Sequence, residues 1–68
     1  MKEVSIKGDF IKLAQLLKLA DLVSSGGESK LVIKDGLVTL NGNIEIQRGK
    51  KIYRNDIVEF DGQKVIVK

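Results

Sequence analysis

Most of the side chains that carry enzyme chemistry are missing from this sequence. It contains no Cys and no His, which excludes thiol nucleophiles, Ser-His triads and zinc sites built from Cys or His. The carboxylates are scattered among predicted caps and turns without the paired spacing of an acid/base site, at Asp21, Glu28, Asp35, Glu45, Asp56, Glu59 and Asp61. We therefore expect a protein that is not an enzyme and that uses no cofactor or metal.

The chemistry that the sequence does offer is anion binding, first at the stretch SSGGES, residues 24–29. Ser25 with Glu28 three positions later has the capping-box pattern of a helix N-terminus, and Gly26 and Gly27 would form a first turn without side chains. A helix N-terminus presents unpaired N–H groups and the positive end of the helix dipole, so a phosphate could approach this turn closely. The alternative is that the glycines only ease a tight turn between two helices.

Two lysines continue this feature along the same predicted helix. With residues placed 100° apart, Lys30 and Lys34 fall with Gly27 on one side, and the lysines are expected to point outward. The opposite, inward side contains Ser29, Val32 and Ile33. The lysines either hold the same polyanion or are simply solvated. Nucleotide binding is not indicated, because the glycine and lysine spacing of a P-loop is absent.

A second anion-binding feature is the basic segment, residues 48–54, with the sequence RGKKIYR. It carries +4 and contains no acid, whereas the other eight basic residues of the chain face nine acidic ones. The net charge of +3 is therefore concentrated in one place, as expected for a surface that contacts phosphates. A hairpin loop that is merely kept soluble by its charge is the alternative interpretation.

A small α+β domain is expected to position these residues. A chain of 68 residues allows one hydrophobic core, so residues 1–68 are predicted to form a single domain. Alternation at Val4 and Ile6 predicts a short N-terminal strand, and helical spacing of apolar residues predicts helices over about 12–21 and 26–35. Gly36 lies where the C-terminal cap of the second helix is expected.

Two dipeptides predict hairpins in the second half of the chain. Asn41-Gly42 lies between the alternating segments around Val38 and Ile44, and Asp61-Gly62 lies between the segments 57–60 and 65–67. The predicted fold is therefore α+β, with a short N-terminal strand and two helices packed on a small antiparallel sheet of hairpins.

The aromatic residues and the absence of export signals add three expectations. Phe10 and Phe60 are assigned to the core, whereas Tyr53, between Ile52 and Arg54 in the basic segment, is left open between packing and RNA contact. No apolar run approaches the roughly 20 residues of a membrane span. The first ten residues also lack the apolar core of a signal peptide, so a cytoplasmic protein is expected.

Several of these motifs together resemble a known RNA-binding family. The residues from Phe10 to Gly42, with SSGGES and a strand that ends in Asn-Gly, are similar to the domain named for small-subunit ribosomal protein four, here called the S-four domain. The likeness extends to small stand-alone bacterial S-four proteins of the YaaA or YbcJ type through QLLK at 15–18 and RGKK at 48–51. It covers nearly the whole chain and implies an S-four-like fold with the alpha-L RNA-binding motif.

The resemblance also implies one basic face for structured RNA, often ribosomal RNA. Carried over by position, the candidate RNA-binding residues are Lys12, Ser25, Gly26, Gly27, Lys30, Lys34, Arg48, Lys50, Lys51 and Arg54. The start of the second helix with its two lysines, and the basic segment, are then both assigned to phosphate contact. Three positions depart from the family pattern: Lys12 gives the first helix no strong side-chain cap, Gly26 replaces an arginine, and Asn55 replaces a glycine in a turn that Asn tolerates.

The expected function is that of a non-catalytic RNA-binding module. It would act as a monomer on structured RNA, either ribosomal RNA or transfer RNA, and would involve no membrane and no small-molecule substrate. Recognition is expected to use the shape and backbone of the RNA, with few base contacts. The alternative is a protein-interaction module or a ribosome-assembly accessory factor whose main partner is a protein, because basic patches also bind proteins.

Overall fold

The chain forms a five-stranded sheet, a two-stranded sheet and two helices in the computed structural model, which describes residues 1–68. In chain order the elements are β1 (Lys2–Val4), β2 (Ile11–Lys12), α1 (Leu13–Leu19), α2 (Gly26–Lys34), β3 (Val38–Leu40), β4 (Asn43–Ile44), β5 (Lys51–Ile52), β6 (Ile57–Phe60) and β7 (Gln63–Val67). The larger sheet has the strand order β1-β7-β6-β3-β4, and β2 pairs with β5 in the smaller one. This architecture confirms the predicted α+β fold class.

The first helix is shorter than its apolar pattern predicts. It covers Leu13–Leu19 rather than about 12–21, and Asp21, with a φ of 61°, lies just beyond its end. This left-handed residue lets the N–H of Leu22 donate to the carbonyl of Leu17 at 3.0 Å, as in a Schellman motif. The side chain of Leu22 is then buried in the core, so apolar residues continue beyond the end of the helix.

The second helix follows its sequence signals closely. It covers Gly26–Lys34, within one residue of the predicted range. Gly36, predicted as the C-terminal cap, has a φ of 76°, a conformation that glycine adopts without strain. The N–H of Leu37 donates back to the carbonyl of Val32 at 3.1 Å, which completes a second Schellman motif.

The core is a single cluster of fourteen buried apolar residues from both helices and both sheets. Its fully buried members are Leu13, Leu16, Leu17, Ile33, Val38, Ile52, Val58, Val65 and Val67. Ser29 is the one buried polar residue, and its hydroxyl donates to the carbonyl of Ala14 at 2.7 Å. The predicted inward side of α2 is confirmed, and a hydrogen bond joins the two helices in addition to their apolar contact.

Both predicted hairpins are present in the larger sheet. Asn41 and Gly42 have φ values of 50° and 90° between β3 and β4, and Asp61 and Gly62 have values of 53° and 75° between β6 and β7. Positive φ at both central residues is the type I′ geometry, whose twist matches that of the flanking strands. β3 also pairs antiparallel with β6, which joins the two hairpins into one sheet.

Two strand pairings were not predicted from the sequence. β1 lies parallel to β7, with Val4 opposite Val67, so the larger sheet is not wholly antiparallel. β2 pairs antiparallel with β5, with Ile11 opposite Ile52. Each pairing joins segments that are far apart in the chain, and a strand of two or three residues carries too little pattern to identify its partner.

The prediction that Phe10 packs in the core is wrong. Its side chain is 39% exposed, because the neighbouring Ile11 packs against the core and successive residues of a strand face opposite sides. Phe60 is half-buried and packs against the core cluster, which confirms its predicted role. Tyr53, which the sequence left open, is 48% exposed.

Candidate nucleic-acid interface

The N-terminus of α2 is capped as the sequence predicts, with one difference. Ser25 is the N-cap, and its hydroxyl oxygen accepts the N–H of Glu28 at 3.1 Å. The Glu28 carboxylate does not complete a capping box with Ser25; it accepts the N–H and the hydroxyl of Ser24 at 2.8 and 2.9 Å. These hydrogen bonds from Ser24 lower the pKa of Glu28 below its usual range.

The first turn of α2 has two free backbone donors. The N–H groups of Gly26 and Gly27 donate to no acceptor within the chain, and both residues are exposed. Neither glycine has a positive φ. A Cβ at Gly26 would meet nothing within 4 Å, and one at Gly27 would meet only Ser25 Oγ at 3.8 Å. The fold therefore does not require glycine at either position, and the two N–H groups are open to an external acceptor.

The two lysines of α2 point away from the core, as predicted. Lys30 and Lys34 are exposed, whereas Ser29, immediately before Lys30, is fully buried. With a rise of about 1.5 Å per residue, they lie about 6 and 12 Å along the helix axis from Gly26. Gly27 and the two lysines lie within about 60° of one another around the helix. One side of α2 therefore presents free N–H groups at its start and positive charge along its length.

The basic segment is attached by its backbone to the start of α1. The carbonyl of Lys50 accepts the N–H of Leu13 at 2.9 Å, and the carbonyl of Arg48 accepts the N–H of Ala14 at 3.1 Å. These bonds replace a side-chain cap, which Lys12 does not supply, as the sequence predicted. Two of the N–H groups that a helix leaves unpaired at its start are thus satisfied by the chain itself.

The attachment gathers four predicted cations around the start of α1. Lys12 and Lys51 are directly opposite each other in the β2 and β5 pairing, and Arg48 and Lys50 lie at the start of α1 through their carbonyls. All four residues are exposed. The structure therefore brings Lys12 next to the basic segment, from which it is far removed in sequence.

Ala14 connects this cluster to α2. Its N–H donates to Arg48 at 3.1 Å, and its carbonyl accepts the Ser29 hydroxyl at 2.7 Å. Ser29 immediately precedes Lys30, so the basic segment, the start of α1 and the body of α2 are joined through one residue. The predicted site residues thus belong to two neighbouring groups, one on the smaller sheet and one on α2.

Arg54 differs from the other predicted cations because it also supports the fold. Its guanidinium donates from Nη2 to the carbonyl of Ile6 at 2.8 Å, and the N–H of Ile6 donates to the carbonyl of Lys68 at 3.1 Å. Arg54 therefore holds the segment that follows β1, while its exposed guanidinium keeps further donors.

The turn that follows the basic segment contains a network that sequence reasoning missed. Asp56 accepts the N–H of Tyr53 at 2.8 Å and the side-chain amide of Asn41 at 3.1 Å. The carbonyl oxygen of the Asn41 side chain accepts the N–H of Ile57 at 2.9 Å. Asn55 has the left-handed φ of 77° that its position requires. The first hairpin turn thereby fixes the end of the basic segment.

Sequence reasoning also missed the exposed ring of Phe10. Its centroid lies 6.2 Å from that of Tyr53, and Lys51 Nζ lies 4.8 Å from the Phe10 centroid. The signal that could have revealed it is the matched alternation of Phe-Ile-Lys at 10–12 and Lys-Ile-Tyr at 51–53, in which only the isoleucines face inward.

The structure contains neither a cluster of metal-ligating side chains nor a helix suited to crossing a membrane. No group of three or more His, Cys, Asp or Glu residues is arranged to hold a metal ion. The longer helix has nine residues, and neither helix combines the length and apolar character that a bilayer crossing requires.

Known proteins resemble this chain over nearly its whole length. Residues 4–68 match the family model described as the S4 domain. The chain is 41% identical over 59 residues to "Probable ribosome maturation protein RlbA" of Bacillus subtilis (strain 168), a match that covers 87% of this chain and 83% of the relative. It is 34% identical over 61 residues to YbcJ of Escherichia coli (strain K12), covering 90% and 87% of the two chains.

A solved structure shows the same fold. The solution structure of Escherichia coli YbcJ, described as having an ALFAL motif involved in RNA binding, matches with a TM-score of 0.76 at 34% identity. The match covers 98% of this chain and 86% of that chain. The resemblance inferred from the sequence motifs is confirmed, and the chain belongs to the S4 domain family.

Proposed function

We propose that residues 1–68 act as one non-catalytic RNA-binding module that recognises structured RNA through a basic face that contacts phosphates. The proposed RNA is ribosomal RNA. The observation that carries the proposal is the cluster of four exposed cations that backbone pairing assembles at the start of α1, at Lys12, Arg48, Lys50 and Lys51. A dense group of exposed cations attracts a polyanion and supplies affinity that does not depend on base sequence.

The second part of the proposed face is the start of α2. Free N–H groups at Gly26 and Gly27 and the positive end of the helix dipole favour a phosphate oxygen there. Ser25 caps the helix with its oxygen, so its O–H proton can donate to the same phosphate. Lys30 and Lys34 would meet phosphates further along the strand, and Arg54 would add a donor beyond the one that Ile6 uses.

The relatives support the choice of RNA. One carries the description of a ribosome maturation protein, and the solved structure is described by a motif involved in RNA binding. Ribosomal RNA is structured, and duplex RNA is recognised mainly through its shape, its phosphates and its 2′-hydroxyls. The proposal places the protein in the cytoplasm as a monomer, with transfer RNA as the competing substrate to be tested.

A salt titration tests the electrostatic part of the proposal. If four to six phosphates are neutralised, the logarithm of affinity should fall with the logarithm of salt concentration with a slope of about −3 to −4, at the factor of roughly 0.7 per contact that applies to single strands. The measurement compares a ribosomal RNA fragment with transfer RNA at several salt concentrations. A slope near zero would mean that binding does not use the basic face.

Charge reversal tests the location of the face. Lys30→Glu combined with Lys50→Glu should abolish RNA binding, because both parts of the face then repel phosphates. Both side chains are exposed, so circular dichroism and thermal unfolding should match those of the original protein. Lys7→Glu with Lys64→Glu makes the same charge change at two exposed lysines outside the proposed face. Equal loss in both double variants would show that only net charge matters.

A protein partner is the second candidate, and one observation favours it. β4 is an edge strand of the larger sheet, and Ile44 and Ile46 at this edge are 66% and 63% exposed. An apolar edge of this kind can pair with a strand of another protein. Pull-down with and without ribonuclease separates the candidates, since a partner that is held through RNA is lost on digestion.

A further inference from the structure

The smaller sheet exposes two aromatic rings side by side. Phe10 and Tyr53 adjoin the paired Ile11 and Ile52, and their ring centroids lie 6.2 Å apart with planes tilted by 56°. Their side chains are 39% and 48% exposed. Core packing does not explain them, because the two isoleucines supply the inward contacts of these strands.

Positive charge lies directly against this aromatic pair. Lys51 Nζ is 4.8 Å from the centroid of the Phe10 ring, within the range of a cation–π contact. Lys12 is the register partner of Lys51. An apolar peptide would have to bury these ammonium groups, which is costly. A nucleobase joined to phosphates matches both the rings and the charges.

The backbone around Tyr53 is held before any ligand arrives. Its N–H donates to Asp56 at 2.8 Å, and its carbonyl accepts the N–H of Asp56 at 3.0 Å. The same carboxylate accepts the amide of Asn41, which ties this turn to the first hairpin. A ring on a fixed backbone loses little conformational freedom when it binds.

We propose that Phe10 and Tyr53 form a stacking platform for one unpaired nucleobase of the RNA, whose neighbouring phosphates are met by Lys12 and Lys51. This inference rests on the proposed RNA-binding function and adds a preference to it. Phosphate contacts position the RNA, and the platform selects an RNA that has a base outside its helix. Because every base has a π-face, the platform selects for an unpaired base and not for its identity.

The test compares two RNAs: a hairpin that carries a single-nucleotide bulge in its stem, and the same hairpin with a fully paired stem. The protein variant is Phe10→Leu with Tyr53→Leu, which keeps apolar side chains but removes the π-faces. Its affinity for the bulged RNA should fall at least about fivefold, the lower end for loss of one base–aromatic stack. Its affinity for the paired RNA and its salt slope should stay unchanged, because no cation is removed.

Tyr53→Phe is the matched control, since it keeps the ring and should keep the preference for the bulged RNA. Thermal unfolding checks the fold, and Tyr53→Leu alone gives the same comparison at the more exposed ring. Equal affinity of the original protein for both RNAs overturns the platform but leaves the proposed function intact. An equal loss on both RNAs with a weaker salt slope also overturns it, because the rings would then only position Lys51. If the protein instead forms a ribonuclease-resistant complex with another protein, and the double variant loses that complex, the rings contact a protein partner and the platform is overturned. If the original protein binds neither RNA, the proposed function is overturned as well.

Discussion

Methyl groups on the bare first turn of α2 should change folding stability and RNA affinity in opposite directions. The variant combines Gly26→Ala with Gly27→Ala. Neither position has a positive φ, and an added Cβ meets nothing closer than Ser25 Oγ at 3.8 Å. Alanine therefore fits both positions without strain, and any loss of RNA binding cannot be attributed to a distorted helix.

The stability gain comes from the unfolded chain. Replacing glycine by alanine at a compatible position stabilises a protein by about 0.4–1 kcal/mol, because the unfolded chain has fewer conformations to lose. The first turn of a helix benefits less from helix propensity than its interior, so we expect about 1 kcal/mol for the pair. In a domain of this size that gain raises Tm by about 4–8 °C.

The loss of affinity comes from the free N–H groups of the two glycines. The added methyl groups lie beside these donors and hold a phosphate oxygen away from them. A hydrogen bond to a charged group contributes about 1.5–3 kcal/mol, so losing one such bond should weaken RNA binding about tenfold or more.

The assay combines thermal unfolding with RNA titration at fixed salt concentration. Gly8→Ala is the matched control: Gly8 has no positive φ, its added Cβ meets nothing within 4 Å, and it lies outside α2. The control should leave RNA affinity unchanged. If Gly26→Ala with Gly27→Ala raises Tm and binds RNA as tightly as the original protein, the bare turn is not a phosphate contact.

Three further predictions concern side chains that support the site. Glu28→Gln should lower stability at pH 7, because the hydrogen bonds from Ser24 lower the carboxylate's pKa in the folded state; this contribution is present above the unfolded pKa and is lost as pH falls through the folded one, so the difference in stability between the two proteins should disappear in acid. Ser29→Ala should cost about 1 kcal/mol in chemical denaturation, since it removes the buried bond to Ala14; an unchanged midpoint would show that apolar contact alone joins the helices. Asp56→Ala should cost about 1 kcal/mol as well and should weaken binding of bulged RNA more than paired RNA, because Tyr53 loses its acceptor; equal RNA affinities would contradict its positioning role.

The features that the sequence predicted well are those set by neighbouring residues. The cap at Ser25, the left-handed Gly36 and the Asn41-Gly42 turn each depend on the local backbone, and each has the expected geometry. The inward side of α2 was also found, because a nine-residue helix shows its period clearly.

The features that the sequence did not predict depend on partners far along the chain. The pairing of β2 with β5 buries Ile52 and exposes Phe10, but two-residue strands show almost no alternation of their own. The Asp56 and Asn41 bond joins two turns that each look complete in the sequence. In both cases the local pattern fits more than one partner, and only tertiary packing selects between them.

The two helix N-termini show how the fold divides its backbone donors. At α1 the N–H groups of Leu13 and Ala14 are used by the carbonyls of the basic segment, so this end presents lysine and arginine side chains rather than free amides. At α2 no carbonyl of the chain reaches the N–H groups of Gly26 and Gly27. The N–H groups of the first helix therefore hold the cation-bearing basic segment in place, whereas those of the second helix stay free to bind an external acceptor. A polyanion that meets both would contact side-chain charge at one helix start and backbone amides at the other, which is why Gly26→Ala with Gly27→Ala and the charge reversal at Lys50 should lose affinity through separate, additive effects.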